Sequence, residues 1–116
     1  MGRDEYYFAE GCFITELLNS ADDPAVSVAR ARVEPGRTTR WHRLEHIVET
    51  YLLVEGFGRV EIGTEKPRDV GPGDAVLIPA GCRQRITNTG TADLVFLAVC
   101  TPRFVVSAYR DLEEVQ

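Results

Sequence analysis

His42, Glu49, Tyr51 and Gln84, with Arg40 and His46 close by, are the side chains of this chain whose types and spacing could do chemistry together. Histidine and glutamate move protons, and a carboxyl group stripped of water by burial becomes a base poised for catalysis. Tyr51 can supply a proton or a hydrogen bond, and the Gln84 amide offers both an acceptor oxygen and donor hydrogens. The Arg40 guanidinium can clamp a carboxylate or a phosphate bidentately. Plainer roles compete with each of these: Glu49 paired with Arg40 in the interior, Tyr51 as core packing, Arg40 on the surface, His46 as a solvated turn residue. The spacing is specific. One stretch, 36–56, runs Gly36, five residues, His42-Arg43-Leu44, four residues, Glu49, six residues, Gly56. A second, 73–88, runs Gly73, five residues, Pro79-Ala80-Gly81, two residues, Gln84, three residues, Asn88.

The elements that must position these groups are short strands. β-type segments at 12–18, 25–33, 38–44, 49–55, 58–63, 75–79, 84–88, 94–101 and 104–108 alternate with turn signals such as Asp22-Asp23-Pro24, Glu34-Pro35-Gly36, Gly71-Pro72-Gly73-Asp74 and Asn88-Thr89-Gly90. Proline presets φ in such turns, while glycine and asparagine accept positive φ. Only the tail, 107–115, reads as a short helix, and it is brief enough to fray. Many short strands with frequent turns predict an all-β sandwich or barrel, and a jelly roll hides the strand edges. Residues two apart on a strand share a face. Thr38, Arg40, His42 and Leu44 are thereby expected on one side of their strand, with Trp41 and Arg43 on the other. Glu49, Tyr51 and Leu53 share a face, as do Gln84, Ile86 and Asn88. If those faces point inward, His42, Glu49 and Gln84 converge amid apolar residues, which is the form of a small-molecule site.

Composition narrows the class. At 116 residues the sequence predicts one domain over residues 1–116. Hydrophobic residues make up 44% and charged residues 27%, as in an ordinary globular protein. No apolar run predicts a membrane span, and the N-terminal residues do not resemble a signal peptide. Cys12, Cys82 and Cys100 are odd in number and widely spaced, which argues against a disulfide framework and for a reducing cytoplasm. A net charge of −5 offers no general attraction to nucleic acid or to anionic lipid. The expected partners are a small molecule and a second copy of the chain.

The two spaced stretches resemble the two-part signature of the cupin superfamily, G-x5-H-x-H-x4-E-x6-G followed by G-x5-P-x-G-x2-H-x3-N. The resemblance covers residues 26–101, and the chain looks like small single-domain bacterial cupins, some loosely described as sugar-phosphate isomerase-like. It implies a double-stranded β-helix, or jelly-roll barrel, and a homodimer. It also implies a divalent metal (iron, manganese, nickel or zinc) held by two histidines, a glutamate and a later histidine. Carried over position by position, His42 and Glu49 are ligands, Leu44 replaces the second histidine, and Gln84 replaces the third with a neutral, weaker oxygen donor. His46, in the turn between the two strands, is a candidate replacement. His42, His46 and Glu49 would form a two-histidine, one-carboxylate set with open positions.

Two function classes follow from the resemblance. In one, a metal acts as a Lewis acid on a small anionic or oxygenated metabolite, with Glu49 and Tyr51 catalytic, Arg40 and Gln84 binding substrate, and His42, His46, Glu49 and Gln84 around the metal; isomerase, decarboxylase and dioxygenase chemistry all fit. In the other, the barrel is a metal-free module that binds or senses a small molecule through Gln84, Tyr51 and Arg40. A structural dimer with a vestigial pocket is a third reading.

Overall fold

A computed structural model describes residues 4–113. Two antiparallel sheets face each other. The first has the order β1 (Glu5–Phe8), β2 (Cys12–Ser20), β3 (Asp23–Val33), β10 (Leu94–Thr101), β5 (Val48–Glu55) and β8 (Ala75–Ile78). The second has the order β11 (Tyr109–Asp111), β4 (His42–Leu44), β9 (Gln84–Asn88), β6 (Gly58–Ile62) and β7 (Arg68–Val70). This is the nearly all-β, double-stranded β-helix architecture expected of the sequence.

Period-2 alternation builds the interior. Along β5, Glu49, Tyr51 and Leu53 are buried while Leu52 and Val54 are exposed. Along β9, Gln84, Ile86 and Asn88 are buried. The sheets close on a core of Val33, Tyr51, Val60, Val76, Ile86 and Phe96 with their neighbours. A smaller cluster of Leu44, Ile47, Cys100 and Ala108 sits at one end, with Phe104 and Tyr109 packed against it. Gly36, Gly56, Gly73 and Gly81 all take positive φ, as their places at strand ends require. Gly56 is the most constrained, because a Cβ there would lie 2.5 Å from the Asp93 carbonyl oxygen.

Three expectations are corrected. The strand expected at 38–44 is only β4, His42–Leu44, preceded by a single bridge between Thr38 and Thr87. The segment 104–108 is not a strand. The expected tail helix is instead one 3-10 turn, Val106–Ala108, followed by β11, which pairs with β4; residues 114 and 115 lie outside the described residues. The tail spaces Ala108, Leu112 and Val115 as a helix would, but it is too short to hold a helix alone, and a strand edge on β4 offers it backbone partners that an isolated short helix would lack. Strands β1, β7 and β11 were not expected. No helix among the described residues is long and apolar enough to cross a membrane.

Candidate functional site

A cavity opens on the inner face of the first sheet because that face carries small side chains. Register places Ser27, Cys100 and Glu49 in one row across β3, β10 and β5, and Ala29, Ala98 and Tyr51 in the next. Ala31 opposite Phe96 makes the row after that. The cavity has about 530 Å³ of space, part of it open to solvent, and β1, β2 and Phe104 complete its wall. Its polar lining is led by Glu10, Glu16, Glu49, Tyr6 and Tyr51.

Glu49 is the buried carboxyl of this set. It is 9% exposed, and its Oε1 is buried without a hydrogen-bond partner. Its Oε2 lies 4.0 Å from the Cys100 thiol. Burial pushes the Glu49 carboxyl up to about 8; the negative charge of Glu10 adds to this, and the Gln84 amide opposes it. The Cys12 and Cys100 thiols are raised by burial too, so neither is an activated nucleophile.

His42 and Gln84 are buried and paired across β4 and β9, but they stand behind the cavity wall. His42 Nδ1 donates to the Arg40 carbonyl at 2.6 Å, which turns Nε2 toward Glu10 Oε1 at 3.4 Å. The His42 ring stacks on Tyr109, with centroids 5.2 Å apart. Tyr51 donates to Gln84 Oε1 at 2.6 Å, and burial raises its phenol well above the ordinary value. Glu10 therefore presents what His42 backs, and Tyr51 presents what Gln84 backs. Glu10 is held there by the β1–β2 turn, where the Arg40 backbone N–H donates to the Glu10 carbonyl at 2.8 Å. At the outer wall Tyr6 donates to Glu16 Oε2 at 3.1 Å, and burial lifts the Tyr6 phenol to about 12.

Two expected site residues lie elsewhere. His46 is exposed in the Glu45-His46 turn between β4 and β5, with φ of 65°; the backbone reversal there carries its side chain outward. Arg40 does not line the cavity. Strand alternation does not extend back from His42, and the Arg40 side chain, 40% exposed, pairs with Asp111 at 3.1 Å. Leu44, at the second histidine position, packs beneath the tail in the smaller cluster. Trp41 lies outside with Arg83 and Arg85 over its ring at 4.2 and 4.5 Å, as their alternation predicts.

The donors present do not fit the implied metal centre. Leu44 offers none, His46 faces outward, the Gln84 oxygen is engaged by Tyr51, and His42 Nε2 is turned to Glu10. Among the described residues no group of three His, Cys, Asp or Glu side chains is placed to hold a metal ion. Glu10, Glu16, Tyr6 and Tyr109 were not singled out in the sequence. Glu16 had a readable signal, since Cys12, Ile14 and Glu16 share a face of their strand and two of the three are apolar. Glu10 had none, because it lies in a turn whose docking depends on a residue 30 positions later.

The model of the cupin domain family matches residues 29–100. A protein of Methanocaldococcus jannaschii, MJ1618, is 32% identical over 101 residues, 85% of this chain and 80% of its own. Among solved structures, the nucleoside dehydratase Pac13, from Streptomyces, superposes with a TM-score of 0.79 at 18% identity, covering 98% of this chain and 88% of its own. KdgF from Halomonas sp. gives 0.78 at 19% identity over 90% of each chain. Oxalate decarboxylase from Lactobacillus farciminis gives 0.81 at 20% identity, covering 95% of this chain but 33% of that longer one. At these identities the solved structures speak to fold alone. The barrel with its motif glycines at the turns, and the match over residues 29–100, lead to one assignment: the chain belongs to the cupin family.

Proposed function

We propose that this cupin is an acid–base enzyme acting on a small molecule in the cavity against β3, β5 and β10. The observation that carries the reading is the buried Glu49 carboxyl, which lines the cavity and which burial pushes up to about 8. Carboxyl groups in unlike environments divide the acid and base roles between them. Glu49, dry and held in its acid form, donates a proton. Glu10 accepts one, and His42 Nε2 at 3.4 Å provides the next basic site.

The reaction class that suits two such groups is removal of a C–H proton beside an activating group. In an elimination, Glu10 takes the proton from carbon, the C–O bond breaks, and Glu49 protonates the departing hydroxyl to give an alkene and water. In an isomerisation, Glu49 returns a proton to a neighbouring atom instead. The resemblance in fold and length to a nucleoside dehydratase supports the first form. Tyr51, fixed by Gln84, orients the substrate. No step is assigned to a metal, since the donor set does not fit one.

Proton exchange tests this reading. Incubated in D2O with EDTA, the protein should wash deuterium into a member of a panel of small hydroxy-ketones, hydroxy-amines and nucleosides, followed by NMR. Glu10→Gln, which removes the base assigned to the carbon proton, should reduce that exchange at least about a hundredfold. Exchange untouched by this substitution, or abolished by EDTA and restored by metal, would sink the proposal. A second reading, a binding barrel without turnover, is favoured by the mutual satisfaction of Tyr51 and Gln84. A ligand-induced rise in Tm that EDTA leaves unchanged, with no exchange, is its signature.

A further inference from the structure

Each acidic group that lines the cavity is already engaged. Glu16 accepts from the Tyr6 hydroxyl at 3.1 Å, and Glu10 has His42 Nε2 at 3.4 Å and the Cys12 thiol at 3.7 Å. Glu49 is dry, and the proposed chemistry holds it in its acid form. No Lys or Arg lines the space among the described residues. The nearby arginines are turned outward and paired there: Arg32 with Glu5 and Asp93, Arg40 with Asp111, Arg43 with Glu45. An anion entering here would lose its water and meet no cation, which opposes the anionic substrate expected from the resemblance. A cation would have to draw a carboxylate from a partner it already has. A charge taken from water without a dedicated counter-charge is penalised far more than a neutral polar group.

The apolar part of the lining is level at its centre and aromatic at its ends. Ala29 and Ala98 are register partners on β3 and β10, and Ala31, two residues on, lies across from Phe96. One-carbon side chains on strands about 4.8 Å apart make a floor about as wide as a single ring. In the strand order β1-β2-β3-β10-β5 this floor falls between Phe8 on β1 and Tyr51 on β5. Tyr51 packs on Phe96 with centroids 4.3 Å apart, and Phe8 meets Phe104 edge-on at 6.3 Å. Aromatic rings favour offset stacking or edge-to-face contact, so rings at both ends of a level floor suit a further flat ring better than a puckered aliphatic one.

We infer that the ligand of this cavity is an uncharged molecule built on a flat ring, which lies on Ala29 and Ala98 between Phe8 and Tyr51 and turns a neutral polar substituent toward Glu10 and Glu49. The inference names the substrate class of the proposed acid–base site and rests on that site being where the ligand sits. Glu10 and Glu49 are close enough for the charge of one to raise the other, so both serve a single substituent of the ring.

Calorimetric titration in EDTA with benzamide, benzoate and benzamidine varies charge at nearly constant shape. Saturable 1:1 binding of benzamide is expected, at least about tenfold tighter than that of either ion. Cyclohexanecarboxamide, which keeps the amide and loses the flat ring, should bind about threefold more weakly than benzamide. Ala29→Leu, which raises the floor, should weaken benzamide at least about tenfold. Either ion binding as tightly as benzamide, the aliphatic amide doing so, or benzamide showing no saturable binding would overturn the inference on the unaltered protein alone, whatever the fate of the variant. Benzamide affinity unmoved in a folded Ala29→Leu protein would put the ligand elsewhere and overturn it too. Benzamide-selective binding without deuterium exchange on any panel member would refute the acid–base reading and leave the uncharged-ring site standing. Exchange confined to the hydroxy-amines, which are cations at neutral pH, would do the reverse.

Discussion

The two inner faces of the barrel share one pleat and differ in side-chain volume. On the second sheet, inward positions carry Val60, Ile62, Val70 and Ile86, and the space is filled. On the first, Ser27, Ala29, Ala31 and Ala98 occupy the equivalent rows, and a cavity remains. Alternation decides which residues face inward, but volume decides where a ligand fits. The motif residues show the same split. His42 and Gln84 lie on the filled side, in contact with Glu10 and Tyr51, while Glu49 stands on the hollow side and lines the cavity itself.

That contrast can be broken from either side. Ile86→Ala on the filled face should cost about 2–5 kcal/mol in urea denaturation, because Ile86 is 0% exposed and its neighbours cannot close the gap fully. A loss well under about 1 kcal/mol would mean that the second sheet is not tightly packed. Ala29→Leu on the hollow face should instead cost only about 1 kcal/mol in the same measurement, because its added carbons enter the cavity rather than a filled core. Equal damage to stability from both substitutions would erase the distinction.

Glu49 sharpens it through pH. The folded protein holds this proton up to about pH 8, while the unfolded chain releases it near the model-compound value of 4.5. Its contribution to stability is fully present below 4.5, falls as pH rises, and is lost above about 8. The slope in that window approaches roughly 1.4 kcal/mol per pH unit, and Glu49→Gln should flatten it. An unchanged slope in the variant would assign the pH dependence to other groups. The smallest effect belongs outside both faces: Trp41→Leu, which removes the ring under Arg83 and Arg85, should cost about 0.5–1 kcal/mol in urea denaturation and leave the pH slope unaltered.

The fold was legible because it rests on local signals. Turn glycines and prolines at fixed spacing, together with period-2 burial in β5 and β9, lead to the barrel without knowledge of distant contacts. The site was legible only in part. Glu49 and Tyr51 could be placed because their strand is regular. Arg40 could not, because the chain before His42 leaves strand geometry and its side chain finds Asp111 across 71 positions of sequence. His46 was drawn toward the site by proximity in sequence, whereas its positive φ sends it outward. Glu10 reaches His42 only through the docking of a distant turn, and no spacing rule encodes that.

The pairing of β11 with β4 bears on how the protein is made. His42 lies between a turn near the start of the chain, which supplies Glu10, and a strand near its end, which supplies Tyr109 for its ring and Asp111 for its backbone register. Closing the long loop from His42 to β11 costs entropy that only late contacts repay. During synthesis the central strands can pair early, but the surroundings of His42 wait until the segment around Tyr109 has emerged from the ribosome.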